Sequence, residues 1–583
     1  MQARQRRVVT TVTALFAVTI GATVAAQTAA QAPPPAAPNH KHYTEPAQQQ
    51  LSPTGAVAPR LQNLGTHTFP VSTRNKQAQL FINQGVNLAY AFNHAESHRA
   101  FREAARLDPN LAMAYWGQAL VLGPNINALM EPNEEPNAHQ LAQKAATLKG
   151  RASPRERALI DALLERYSGR PEDRRARDIA YSAAMGKVHQ RFPADLDITM
   201  FYVESVMDLR PWGYWTGDGR PHEGIAEIVE LTEQVIAKHP RHPGALHMYV
   251  HLMEAHTPHR AEKAADTLLT LMPAAGHMVH MPSHIYQRVG RYADAARSNE
   301  LAIAADEDYI TQCRAQGLYP MAYYPHNVHF LWFAATAEGR SAVALENARK
   351  LASKIDDAAL KEVPILAAFR VVPYYALTRF AKWDEMLQEP EPPNHPFLRG
   401  GWHYSRGIAF VAKGQLEDAE RELGRVVEIL KDPSLDQPLF SQNTGLTLLA
   451  IAPEALAGEI AAARKDYDKA IAHLSRAVWL EDGLVYTEPS EWHYPPRHAL
   501  GAVLLEAGRP AEAETVYWED LRRNPDNGWA LLGLMQAQKA QNKVEAAAMA
   551  EARFKKAWAR ADVKPPASRF GRLESGRTTS PER

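Results

Sequence analysis

Apolar side chains recur at helical spacing through most of residues 76–560, and alternating β-branched runs are scarce. That period puts the apolar groups on one face of each segment and predicts an almost entirely helical body. Small residues punctuate it at fixed intervals. Gly407 and Gly414 stand seven apart, as do Gly501 and Gly508; Gly85 precedes Pro109 by 24 positions, and Ala513 precedes Pro525 by 12. Gly85, Gly407 and Gly501 let paired helices approach closely, Gly290, Gly339, Gly414 and Gly508 suit tight turns, and Pro109 and Pro525 stop the helix before them.

These intervals resemble the tetratricopeptide repeat, a helix–turn–helix unit of about 34 residues. Matching segments at 78–110, 281–305, 330–352, 400–430, 451–480 and 494–525 spread the resemblance over most of 76–560. It implies an all-α, right-handed superhelical solenoid in which the first helix of each unit lines a concave groove. Turn glycines and helix-stopping prolines argue against the rival coiled coil. Insertions interrupt the register at 306–324, 389–396 and 483–496, the last carrying Glu488, Glu491, Trp492, His493 and Tyr494. The expected organisation is an N-terminal and central array over 76–388 and a C-terminal array over 389–562.

The two ends read differently. Arg4, Arg6 and Arg7 precede an uncharged run from Val8 to Ala26 that closes on small residues, the layout of a cleaved secretory signal over residues 1–26. Residues 27–75 are rich in Ala, Pro and Gln in their first half and read as a disordered tether, and residues 563–583 as a disordered tail. With signal removal, no transmembrane span is expected and the compartment is the bacterial periplasm.

Composition narrows the chemistry. The 583 residues carry 65 basic and 65 acidic side chains; losing three arginines with the signal leaves 62 against 65, so no polycationic field exists for nucleic acid. A single cysteine, Cys313, rules out a disulfide framework and thiolate metal sites within one chain. Helix-borne zinc-protease, phosphate-loop, dinucleotide and nucleophile-elbow signatures are missing. No catalytic residue is assigned, and whether the chain is an enzyme stays open at this point.

Histidine is the anomaly, with 24 copies that cluster. His247, His251 and Glu254 follow one another at i, i+4, i+7, and His277, His280 and His284 at i, i+3, i+7, so each set shares a helix face. His277 and His280 lie 13 and 10 residues before Gly290, and His326 and His329 lie 13 and 10 before Gly339, which makes the pairs equivalent in neighbouring repeats. The repeat resemblance implies that these seven imidazoles and one carboxylate face the concave groove.

Neutral imidazoles one turn apart can chelate a metal, and a nearby carboxylate adds a hard donor. The candidate ligands are therefore His247, His251, Glu254, His277, His280, His284, His326 and His329, for copper, zinc, iron or manganese. Met248, Met253, Met278 and Met281 interleave with them and as thioethers would favour Cu(I), although such methionines commonly fill cores. Three functions follow. The leading one is an exported scaffold with a transition metal in its central groove, serving protein interaction or metal handling. The second is a metal-dependent oxidase or hydrolase using Glu254, and the third a metal-free adaptor binding a protein or peptide in the groove.

Other features are weaker. His94 and His98 fall on a second helix and are expected to be structural. The loop from Pro211 to Gly219 is expected to pack on the array or cap the groove, and the 483–496 insertion near His498 to form a second polar site or a lid. The wording around His242-Pro243-Gly244-Ala245, Gly276 to Tyr286, Tyr324 to Phe330 and Pro495 to Gly501 also resembles a group of mostly bacterial tetratricopeptide proteins.

Overall fold

The computed structural model describes residues 55–313, 319–363, 366–439 and 443–571. The signal, the first half of the tether and the end of the tail fall outside the described residues. Helices follow the apolar periodicity, and no β-strand occurs among the described residues, where only isolated bridges form.

Consecutive helices pair antiparallel across short turns. Lys76–Tyr90 packs on His94–Leu107, Tyr324–Ala337 on Ser341–Ser353, Pro396–Ala412 on Leu416–Ile429, Ile451–Ala463 on Tyr467–Asp482, Pro496–Glu506 on Pro510–Arg523 and Gly528–Ala540 on Val544–Ala557. Several starts are capped by polar side chains, including Asn75, Asn93, Asp195 and Asn527, whose oxygens accept backbone N–H groups of the first turn. Gly290 and Gly339 take φ of 80° and 72°, the left-handed turn conformation their positions predict. Helices end at Leu107 and Arg523, just before Pro109 and Pro525. This is the predicted all-α, tetratricopeptide-like architecture.

Three expectations change. First, the tether does not extend to residue 75. Ala58, Leu64 and Phe69 are buried, and side chains of the first helix satisfy the backbone around them: Leu61 N–H donates to Gln84 and Phe69 N–H to Asn83. Second, the tail packs as far as Arg569, which pairs with buried Glu459 while Ser568 is fully enclosed. Third, no break in the core marks residue 389. One apolar cluster runs from Ala58 past Met386 and Phe397 to Trp529, and a second covers the last hairpins.

The insertion at 306–324 is helical at both described ends. Tyr292–Cys313 extends the second helix of its repeat, and Tyr319–Tyr323 forms a π-helical turn leading into Tyr324–Ala337. The stretch Gly445–Ala463 is long and apolar enough to cross a membrane by length and composition, yet it carries Glu454 and Glu459 and packs inside the array.

Candidate metal centre

Four helices bring the clustered histidines together. Pro243–Met253 carries His247 and His251, Gly276–His280 carries His277 and His280, Pro282–Arg288 carries His284, and Tyr324–Ala337 carries His326. Pro282 lacks an N–H and divides what would be one helix, so His277, His280 and His284 come from two short segments.

The expected open groove is instead a largely buried chamber, with His326 partly exposed at its edge. His247, His251, His277, His280 and His284 are at most 2% exposed, and Glu254 is 1% exposed. Apolar rings seal the walls. Phe92 lies against His247 and His277 with centroids 4.5 and 5.6 Å away, and Phe330 lies 4.7 Å from His280 and 4.6 Å from His284. Trp212, from the loop expected to pack on the array or cap the groove, meets His251 edge-on at 5.2 Å. The 483–496 insertion closes the remaining side with Glu488, whose carboxylate is in contact with His284 Nδ1. His247, His251, His277, His280 and His284 therefore do not line an open groove.

Inside the chamber the imidazoles form two triads: His247, His251 and His277, then His280, His284 and His326. Within each, one nitrogen from every ring lies within 4.8 Å of the others. The ring contacts fix which nitrogens face inward. His247 Nδ1 donates to the Tyr90 carbonyl at 2.6 Å, and His251 Nδ1 faces Glu254 Oε1 at 3.3 Å, so both Nδ1 hydrogens are committed outward. Their Nε2 atoms then stand 3.1 Å apart, lone pair toward lone pair. Neither nitrogen of buried His277 has a hydrogen-bond partner.

The second triad repeats the scheme. His280 Nδ1 donates to Asn299 Oδ1 at 2.6 Å, and His284 Nδ1 is flanked by Glu254 Oε2 at 2.8 Å and by Glu488. Their Nε2 atoms stand 2.8 Å apart. Glu254 thus serves both triads, one oxygen to each. Carboxylate, amide or carbonyl acceptors behind an imidazole are the arrangement that orients metal-ligating histidines. Two imidazole ligands at about 2.0–2.1 Å on a tetrahedral ion stand about 3.3 Å apart, close to the 3.1 Å of the first pair, whereas the 2.8 Å of the second is a hydrogen-bond distance.

Electrostatics separate one histidine from the rest. Burial, reinforced by neighbouring imidazoles, holds His247, His251, His277, His280 and His326 well below the usual histidine range, so they are neutral. Burial also opposes charge on His284, but Glu488 and Glu254 outweigh it and raise the group to about 10. In the metal-free protein a proton on His284 can bridge to His280. The first triad has only the more distant Glu254 oxygen, 3.3 Å from His251 Nδ1, and no second carboxylate, so a cation is the natural relief for its facing nitrogens.

His329 does not join. Its ring stacks on Trp332 at 5.2 Å and 5°, meets Phe369 edge-on, and burial lowers it to about 3. His94 and His98 are buried on the second helix and join neither triad, His94 lying on the far side of Phe92. His498 accepts from Arg379 and donates to Asp520, both at 3.0 Å, a structural role. Glu488 is the acid that sequence reasoning left unassigned; its only signal was an acidic insertion beside a histidine-bearing helix.

A further cluster joins His67, Asp197 and His242 beside a 640 Å³ cavity. His242 Nδ1 already accepts the Ala245 N–H at 3.2 Å, so its Nε2 carries the hydrogen and lies 3.3 Å from Asp197 Oδ1. Tyr90 also donates to Asp197, at 2.8 Å. This is a carboxylate held by donors, not a set of lone pairs awaiting a cation.

No protein-family model matches the chain, and no curated protein matches it. Similar solved structures include the APC/C hetero-tetramer Cut9–Hcn1, 14% identical, covering 79% of this chain and 76% of that chain with a TM-score of 0.31. A human IFIT1 dimer with m7Gppp-AAAA is 12% identical and covers 83% and 90%, with a TM-score of 0.30. The P58(IPK) TPR domain is 12% identical and covers 80% and 99%, with a TM-score of 0.21. By its own paired helices, turn glycines and continuous core, the chain is a tetratricopeptide-like all-α repeat protein.

Proposed function

We propose that this protein is an exported tetratricopeptide-like scaffold that holds transition metal in a buried histidine chamber. The observation that carries the reading is the His247–His251 pair, with Nε2 atoms 3.1 Å apart and both Nδ1 hydrogens directed elsewhere. A core pair of neutral imidazoles without an ion would place donor against acceptor, because an unsatisfied buried polar atom costs about 1–3 kcal/mol.

Metal handling is favoured over turnover. Five of the six triad imidazoles are buried, and neither the 640 Å³ nor the 410 Å³ cavity is lined by a triad histidine. A partner protein would dock on the outside of the array, where Trp479, Trp518, Val544 and Met549 are exposed on the C-terminal hairpins. The signal at residues 1–26 supports delivery to the periplasm, where metal loading would follow export.

The test is elemental analysis of full-length protein purified from its own compartment, with His247→Ala and His280→Ala beside it. Stoichiometric metal that falls in the variants supports the proposal. Trace metal only, together with no affinity for added copper, zinc or iron, rejects it.

A further inference from the structure

We infer that the last three hairpins form a reading channel for an extended peptide in which serine, arginine and an aromatic residue follow one another. In this structure residues 564–571 of the chain itself fill the channel, as an internal ligand that a partner segment of the same chemistry replaces. This contact differs from that of a folded partner on the exposed outer tryptophans, and it is independent of the histidine chamber.

Beyond Asp562, whose N–H donates to the Gly339 carbonyl, residues 563–571 make no backbone–backbone hydrogen bond among the described residues. Side chains of the array hold the segment instead, in the way a site holds a peptide ligand. The Gln536 amide donates to the Pro566 carbonyl at 2.7 Å, and Arg379 to the Ser568 carbonyl at 3.3 Å. Ser568 Oγ donates to the His498 carbonyl at 2.6 Å and accepts from the Tyr517 hydroxyl at 2.7 Å. Arg569 bonds Glu459 through one Nη and Glu506 through the other, the second at 2.8 Å, and Phe570 meets Trp529 edge-on at 5.9 Å. Glu459, Glu506 and Trp529 lie on Ile451–Ala463, Pro496–Glu506 and Gly528–Ala540, so the segment crosses the first helix of each hairpin.

These contacts select a sequence. Glu459 is 6% exposed, and Arg569 is its only ion-pair partner among the described residues. A buried carboxylate left alone carries a heavy desolvation cost, so the channel requires a cation from whatever fills it. Two carboxylates gripping one guanidinium favour arginine over lysine, because the N–H groups of arginine diverge in a fixed fork. Tyr517 comes from the second helix Pro510–Arg523, and its ring packs on Gly501 and Gly533 of two first helices, where a Cβ would stand 2.4 and 2.1 Å from it. The two glycines open the slot that delivers one hydroxyl to Ser568. A segment that only covered apolar core would need neither the slot nor the acids. Its release also breaks no helix and no strand ladder. Tethering supplies it at an effective concentration on the order of mM, so a partner segment competes best once the tail is weakened.

The experiment is fluorescence anisotropy with a labelled synthetic peptide of residues 562–571, added to the full-length protein and to its Arg569→Ala/Phe570→Ala variant, in which the tail is weakened and the channel intact. The expected result is saturable binding to the variant at least about 10-fold tighter than to wild type. Replacing the peptide's arginine by alanine, or adding Glu459→Gln and Glu506→Gln to the variant, should each cost about 10-fold or more. No saturable binding to the variant, with circular dichroism showing it folded, overturns the inference, as does binding indifferent to the arginine. If the variant does not fold, hydrogen exchange of the wild type decides. Amides of 563–571 that open ahead of those in Ile451–Ala463 support an exchangeable ligand, and opening only with global unfolding overturns it.

Discussion

Asn299 sets the tautomer of His280. Its Nδ2 donates to the Ala295 carbonyl at 2.8 Å, which leaves Oδ1 to accept from His280 Nδ1 at 2.6 Å and turns the His280 Nε2 lone pair toward His284. Asn299→Leu removes that acceptor at similar size. Loss of such a support typically weakens metal affinity by about 10–100-fold. Competition titration should show this for Asn299→Leu and a smaller loss for Asn299→Asp; equal affinity in Asn299→Leu and wild type contradicts the assigned tautomer.

Glu254 and Glu488 should separate by reach. Glu254 faces both His251 and His284, whereas Glu488 faces His284. Glu254→Gln should weaken both binding steps by about 10-fold or more, and Glu488→Gln only the step assigned to His280, His284 and His326. A two-step titration reads this directly, and an unchanged second step in Glu488→Gln would falsify the role of the insertion.

The metal-free protein should lose stability in acid. Histidines buried neutral have folded pKa values below the unfolded value of about 6.5, so below that pH the unfolded chain binds more protons and stability falls. Each of His247, His251, His277, His280 and His326 adds up to about 1.4 kcal/mol per pH unit in that window. His284 acts oppositely: raised to about 10, its contribution is complete below about 6.5 and is lost as pH rises through 10. Thermal melts of chelator-treated protein should show a drop between pH 7.5 and 5.5 and, from His284, a separate decline on the alkaline side that levels off by about pH 10. Burial raises Asp306, Glu488 and Glu491 to about 7 and opposes this drop, so the triads are read as the difference between wild type and His247→Ala/His251→Ala, and equal slopes from 7.5 to 5.5 are incompatible with buried neutral triads.

Phe69 tests the redrawn N-terminal boundary. It is fully buried, stacked 5.9 Å from Trp116 with the Arg155 guanidinium 4.2 Å over its ring. Phe69→Ala should lower stability by about 3–5 kcal/mol, the range for a buried aromatic, measured by denaturant unfolding. A change below 0.5 kcal/mol, on the order of a surface substitution, would return the segment to a tether.

Gly501 tests the helix contacts. A Cβ there would sit 2.4 Å from the Tyr517 ring. Gly501→Ala should destabilise by about 1–3 kcal/mol through overpacking, despite alanine's better helix propensity. Stabilisation would mean that Tyr517 moves aside freely.

The sequence made the helices legible because apolar periodicity and turn glycines are local signals, and the structure keeps Gly290 and Gly339 where they were placed. It also showed that His247 with His251, and His280 with His284, share helix faces. It could not show that His277 leaves its i+3 neighbour to join His247, or that His326 joins His280, because both groupings depend on how separate helices pack. Equivalence between repeats misplaced His329, since Trp332 and Phe369 offer that ring a stacking site no spacing reveals. Glu488 reaches His284 across about 200 residues of chain. Phe69 and Arg569 were hidden by polar, aperiodic surroundings, where single anchors replace a repeating face.

The strap carrying Glu488 has a kinetic meaning. Trp492 and His493 are 2% exposed, and His493 stacks on Tyr375 at 4.2 Å, so the segment is fastened on both sides of the residue it delivers. While those rings stay docked, the insertion covers the Glu488 side of the chamber. Exchange with external chelators is then timed by the undocking of aromatic side chains, and residence can long outlast what the affinity of three imidazoles alone would set.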